Sequence, residues 1–193
     1  MRTLLLTLSL AAMSLLSSGC KSRGDDVVAM PDTMTGTSVY TKVGMHFDVK
    51  DGRYTMYSTN YVGLNKHLPP GTHLTYQGTE KERLKLTDDN GSEYLITFEP
   101  KHSMMTFPDW VSRQWGEQPF SLPADLTDEE RAGIEAGEAR IGMSRAAVFL
   151  AIGYPPKSLN PSESDDVLTY QRNRFVRYTV RFGADDKVVD VSR

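Results

Sequence analysis

Apolar positions follow three rhythms along the chain. The first is an unbroken run from Leu4 to Leu16, built of Leu, Ala, Met, Ser and Thr without a charge. It falls short of the about 20 apolar residues that span a bilayer, and it has the length of the hydrophobic core of an export signal. Arg2 precedes it, and the small residues Ser17, Ser18 and Gly19 follow before Cys20. The second rhythm is alternation. Val39, Thr41 and Val43 alternate, as do Phe47 and Val49, Leu74 and Tyr76, Leu84 and Leu86, and Tyr94, Ile96 and Phe98. Tyr54, Met56 and the stretch to Tyr61 add β-formers. Asp51-Gly52, Pro69-Pro70-Gly71 and Asp88-Asp89-Asn90-Gly91 punctuate these runs with turn chemistry. The pattern predicts short strands over residues 38–100, curled into a small β-barrel or sheet.

The third rhythm is helical. Thr127-Asp128-Glu129-Glu130 is a capping box, in which the Thr oxygen takes one orphan N–H and Glu130 reaches back for another. Ser144 is a second N-cap. Ala147, Val148, Ala151 and Ile152 then form an apolar stripe that Gly153, Pro155 and Pro156 end. Alternation returns in Val167–Tyr170, in Phe175–Phe182 with Val176, Tyr178, Val180 and Phe182 on one face, and in Val189 and Val191. Residues 127–193 therefore read as two helices followed by three antiparallel strands. Between the two regions, residues 101–126 read as a connector whose short helix starts near Pro108, in a first turn where its missing N–H is harmless. Phe107, Trp110 and Trp115 are expected at the seam. The fold class expected is α+β in two small modules, each near the size where a core is marginal.

Residues 20–37 have neither rhythm. They are polar and interrupted by Gly24, Pro31 and Gly36, and predict a flexible tether. With 22 Lys plus Arg against 25 Asp plus Glu, the net charge of -3 argues against general nucleic-acid binding. A single Cys excludes an internal disulfide, a CxxC redox pair and a multi-Cys zinc site.

Leu16-Ser17-Ser18-Gly19-Cys20 resembles the lipobox of bacterial lipoproteins. That resemblance implies a signal peptide over residues 1–19, diacylglyceryl attachment and amine acylation (the palmitate-bearing modification) at Cys20, and a lipid anchor without a transmembrane helix. Lys21, in place of the Asp that retains such proteins in the inner membrane, implies the periplasmic face of the outer membrane. The strand count and the Pro-Pro-Gly-Thr turn of residues 38–100 resemble bacterial SH3-like modules. Ile141-Gly142-Met143-Ser144, Val148, Gly153-Tyr154-Pro155 and Leu168-Thr169-Tyr170 resemble the SmpA/OmlA (BamE-like) domain family of envelope lipoproteins. The family implies a two-helix, three-strand unit and an envelope location, and leaves membership of a barrel-assembly complex open.

No nucleophile elbow, HExxH, P-loop or dinucleotide fingerprint occurs. His46, His67, His73 and His102 lack metal-site spacing, although His67 and His73 flank the Pro-Pro-Gly turn closely enough to meet. Asp88, Asp89 and Asn90 read as a turn rather than a calcium loop. No catalytic residue, cofactor or metal is expected. Two surfaces remain as candidate partner contacts: the corner Tyr154-Pro155-Pro156, expected to be rigid and exposed, and the arginines Arg177 and Arg181, which share a cluster with Arg172 and Arg174 and point away from the core if the strand phase holds. The function expected is a non-enzymatic outer-membrane lipoprotein acting as an interaction or scaffold module, with outer-membrane protein assembly as one setting. The alternative is a peptidoglycan- or glycan-binding lipoprotein, with Tyr54, Tyr57 and Tyr61 as stacking residues.

Overall fold

The computed structural model describes residues 34–80 and 83–192. The export signal, Cys20 and most of the tether lie outside the described residues. The strands are β1 (Ser38–Thr41), β2 (Met45–Lys50), β3 (Arg53–Tyr57), β4 (Lys66–Leu68), β5 (His73–Glu80), β6 (Arg83–Thr87), β7 (Glu93–Thr97), β8 (Trp115–Gly116), β9 (Val167–Gln171), β10 (Arg177–Phe182) and β11 (Val188–Ser192). Four short helices, α1 (Pro100–Ser103), α2 (Phe107–Gln114), α3 (Asp128–Ala136) and α4 (Arg145–Ile152), complete the described elements.

The fold is mostly β, which corrects the α+β expectation. One curled sheet has eight strands in the order β4-β2-β3-β7-β6-β5-β1-β8, and a second has three in the order β11-β10-β9. The first is not an isolated SH3-like barrel. Its terminal strands β4 and β8 do not pair with each other, it takes β8 from the stretch expected to be connector, and it contains a parallel pair, β3 with β7. Asp51 and Gly52, with φ of 52° and 74°, close the β2–β3 hairpin in the left-handed geometry such turns need. The chain then crosses to the far edge of β2 as β4 and returns through the β5–β6–β7 meander, so that β7 meets β3 in parallel. Residues 34–37, expected in the tether, are bonded to β5 instead: Gly36 N–H donates to the Tyr76 carbonyl (2.8 Å) and Tyr76 N–H to that of Thr37 (3.0 Å).

Two apolar clusters form. Phe47, Leu74, Tyr76, Leu84, Leu86, Tyr94 and Ile96 fill the inner face of the curled sheet, and Trp110 of α2 and Trp115 of β8 join this core in an edge-to-face pair at 5.3 Å. The tryptophans thus belong to the first core and not to the seam. The second cluster joins Ile134, Val148, Ile152, Leu168, Tyr170 and Val180 with Val62 from the first half. Residues 127–193 are consequently not a self-contained two-helix, BamE-like module: Val62 completes their core, and carbonyls at the end of α4 are satisfied by Gly44 and Asn60 of the first half.

Local signals in this half act as expected. Thr127 accepts from Glu130 N–H and the Glu130 carboxylate accepts from Thr127 N–H, a complete capping box. The other Glu130 oxygen accepts from Ser144 N–H (2.9 Å) and Oγ (2.7 Å), so one carboxylate ties the starts of α3 and α4. Burial would raise its pKa, but these bonds and those from Thr127 outweigh it and hold the group at about 2. In β11 the inward residue is Val188, whereas Val189 is exposed. The register with β10 shifts between Arg181 and Phe182, and this irregularity offsets the alternation read from the sequence.

Candidate functional site

The two sheets meet along a junction that is closed at one end and open at the other. At the closed end, β2 begins beside the C-terminus of α4. Gly44 N–H donates to the Leu150 carbonyl (2.8 Å), and the Asn60 side chain donates to the carbonyls of Ile152 (2.7 Å) and Tyr154 (3.2 Å). Those to Leu150 and Ile152 satisfy carbonyls that the end of α4 leaves orphaned. The approach requires glycine, since a Cβ on Gly44 would overlap the Ala151 carbonyl. His46 and His67 lie directly opposite each other on β2 and β4, rings 4.9 Å apart, beneath α3 and α4. His46 is 2% exposed, and neither of its ring nitrogens has a partner. Burial, reinforced by the neighbouring His67, pushes the His46 imidazole down to about 3. His67 is lowered by its own burial, against the opposing Ala151 and Glu135 carbonyls. Both rings are neutral packing groups at neutral pH.

At the open end, the β2–β3 hairpin faces the β9–β10 connection across a cleft of about 560 Å³. Tyr57, Tyr61, Lys50, Arg172, Arg174 and Phe175 line it. The connection has a defined shape. Asn173 Oδ1 accepts from the N–H groups of Phe175 (2.8 Å) and Val176 (3.0 Å), and Arg172 N–H donates to the Val176 carbonyl (2.9 Å). This side-chain-closed turn holds Phe175 outward with 87% of its surface exposed, and Val49, Tyr57 and Val176 are exposed around it. Arg172 lies over Gly63, where a Cβ would come within 3.2 Å of its Nη2. Among the described residues, Arg172, Arg174, Arg177 and Arg181 take part in none of the ion pairs. By contrast, Arg113 is paired with Glu163 (2.6 Å) and Arg145 with Asp186 (2.8 Å).

The expected site residues distribute unevenly. Arg177 and Arg181 do point away from the core, on the exposed face of β10. The expected exposed corner is closed: Pro155 and Pro156 are buried, and Tyr154 is covered by the Arg113 guanidinium at 3.8 Å and by Phe149 at 5.0 Å. Of the stacking candidates, Tyr57 and Tyr61 line the cleft, whereas Tyr54 stacks on Tyr94 at 5.0 Å. His67 meets His46 rather than His73, whose ring bonds to Asp89 (2.6 Å) and Ser38 (3.0 Å). Asp88 serves its turn, accepting from Asn90 and Ser92 N–H and from the Tyr94 hydroxyl. Sequence reasoning placed Phe175 in a strand and so missed it. The signal available was Asn173 between two arginines, a residue that closes turns with its own side chain.

A second hollow, of about 500 Å³, lies between β1, β8 and α2 and is lined by Met34, Val39, Phe107, Val111 and Trp115. It is apolar, and the Lys42 ammonium at its rim already donates to the Ser112 carbonyl (2.7 Å). Among the described residues, no group of three or more His, Cys, Asp and Glu is arranged to hold a metal ion, and no helix is long and apolar enough to cross a membrane. No family model, curated protein or solved structure matches the chain.

Proposed function

We propose that the protein is a non-catalytic binding module of the bacterial cell envelope, lipid-anchored through Cys20 at the periplasmic face of the outer membrane, whose recognition surface for a protein partner is the cleft between its two sheets. The Leu4–Leu16 run and the Ser17-Ser18-Gly19-Cys20 sequence support the anchor. The observation that carries the binding reading is the cleft itself. Exposed apolar and aromatic side chains, grouped with arginines outside every ion pair among the described residues, mark a surface that gains by being covered. An anchor adds to this by concentration. A surface too weak to hold its partner in bulk solution holds it when both are confined to one membrane.

Mass analysis of the mature protein, with crosslinking and mass spectrometry in the native envelope, tests this reading. The expected result is an acylated N-terminus at Cys20 and crosslinks from the β2–β3 and β9–β10 connections to envelope proteins. Barrel-assembly proteins among them would narrow the setting. An unmodified thiol on protein that leaves with the soluble fraction would overturn the anchor. The presence of Tyr57 and Tyr61 in the cleft supports a second reading, peptidoglycan binding. Co-sedimentation with purified sacculi, without protein crosslinks, would favour it.

A further inference from the structure

We propose that the cleft takes an acidic peptide segment carrying a large apolar side chain, with Arg172 and Arg174 receiving its carboxylates and Phe175, Tyr57 and Val49 covering its apolar residue. This rests on the reading of the protein as an envelope interaction module and names the partner's chemistry.

Charge complementarity argues for it first. Lys50, Arg172 and Arg174 face the cleft, and its lining carboxylate, Asp48, already accepts from Asn65 (2.7 Å). Two guanidiniums outside every ion pair among the described residues present planar forks of donors, which match carboxylates better than hydroxyls. Arg174 also lies beside the Phe175 ring, its guanidinium carbon 5.9 Å from the centroid. A carboxylate docking there and an apolar side chain packing on Phe175 would therefore be neighbours on one chain.

Shape decides between peptide, glycan and bilayer. A sugar ring stacks on a flat aromatic platform, but Tyr57 and Tyr61 are tilted by 47° with centroids 6.1 Å apart, a wedge with no common plane. The surrounding exposed residues, Val49 and Val176, are aliphatic and branched, which suits a side chain of a peptide. A planar bilayer would touch the protruding Phe175 but would not reach Tyr61, which is half-buried inside the cleft.

The test uses the full-length protein in neutral detergent and a fluorescein-labelled peptide of alternating Glu and Leu, with a Gln-Leu peptide as its uncharged counterpart. At low salt the Glu peptide is expected to bind about tenfold more tightly than the Gln peptide, with the gap narrowing as salt screens the charges. Arg172→Gln with Arg174→Gln should abolish the gap, and Phe175→Ala should weaken both peptides. Arg181→Gln, outside the cleft, should change neither. Arg174→Gln alone changes an exposed residue and keeps the test independent of any folding defect in the double variant. Equal affinity for the two peptides, absence of binding to either, a gap that survives the arginine changes, or displacement of the probe by peptidoglycan fragments or anionic vesicles alone would overturn the proposal. The two readings fail separately. Loss of the peptide gap with intact envelope crosslinks sinks the partner chemistry alone. A retained gap with no envelope protein crosslinked sinks the envelope role alone.

Discussion

The two ends of the junction between the sheets are built from similar materials and reach opposite outcomes. Each brings a β-strand, a loop polar residue and basic or aromatic side chains together. At the closed end Gly44 and Asn60 finish α4, and the neutral rings of His46 and His67 pack against each other at a tilt of 35°, with both His46 ring nitrogens buried without a hydrogen-bond partner. At the open end Arg172 and Arg174 take part in no ion pair among the described residues, and Phe175 is exposed. The closed end is buried and its helix end is capped. The open end leaves Phe175, Tyr57, Val49 and Val176 exposed, which is the feature on which the proposed partner site rests.

The largest expected effect sharpens this contrast through pH. A buried His whose folded pKa lies near 3, against 6.5 in the unfolded chain, lets the unfolded state bind the proton first. Stability contributed by the neutral ring is therefore complete above about pH 6.5 and is lost progressively toward pH 3, by about 4–5 kcal/mol in total. His67 is lowered too and adds in the same direction. Glu130, lowered from 4.5 to about 2, contributes stability above pH 4.5 that is lost as pH falls toward 2. The window between about pH 6.5 and 4.5 thus reports the histidine pair. Chemical denaturation across that window should show falling stability as pH drops, and His46→Phe should reduce the slope, leaving the part that His67 contributes. A flat wild-type curve would mean that His46 is already solvated.

Next in size is Gly44→Ala, where the new methyl meets the Ala151 carbonyl, a backbone atom that cannot rotate aside. It should cost about 3 kcal/mol or more, seen as a fall in Tm of roughly 6–12 °C. Asn60→Ala removes the bonds to the last carbonyl of α4 (Ile152) and to the Tyr154 carbonyl beyond it, and puts alanine at a φ of 54°, for about 2–3 kcal/mol in the same assay. Smallest is Arg174→Gln, which should move stability by less than about 0.5 kcal/mol. A destabilisation comparable to Asn60→Ala would show that the open end is structural after all.

What the sequence made legible was local. The Asp51-Gly52 turn, the Thr127–Glu130 box, the Ser144 cap and the outward phase of Arg177 and Arg181 each depend on a few neighbouring residues, and each is present. What stayed hidden was long-range. Nothing in Arg53–Tyr57 announces a parallel partner at Glu93–Thr97, and nothing in Trp115–Gly116 announces pairing with β1. Pro155 and Pro156 read as an exposed corner because prolines usually are exposed. Here Asn160 accepts from Thr169 N–H and donates to the Pro156 and Thr169 carbonyls, folding the loop down onto them. Phe175 reads as part of the strand because it directly precedes the alternating run Val176–Phe182, whereas pairing with β9 begins only at Arg177 and the Asn173 side chain turns the chain before it. The cleft is a product of these non-local choices, and composition could supply only its ingredients.

The most direct measurement is site-specific photo-crosslinking in intact cells, with the photoreactive residue placed at Phe175 or at Val189, an exposed valine on β11. The account predicts discrete protein adducts from Phe175 that vanish when Arg172 and Arg174 are changed to Gln, and none from Val189. Adducts of equal number and kind from both positions, or none from Phe175, would contradict it.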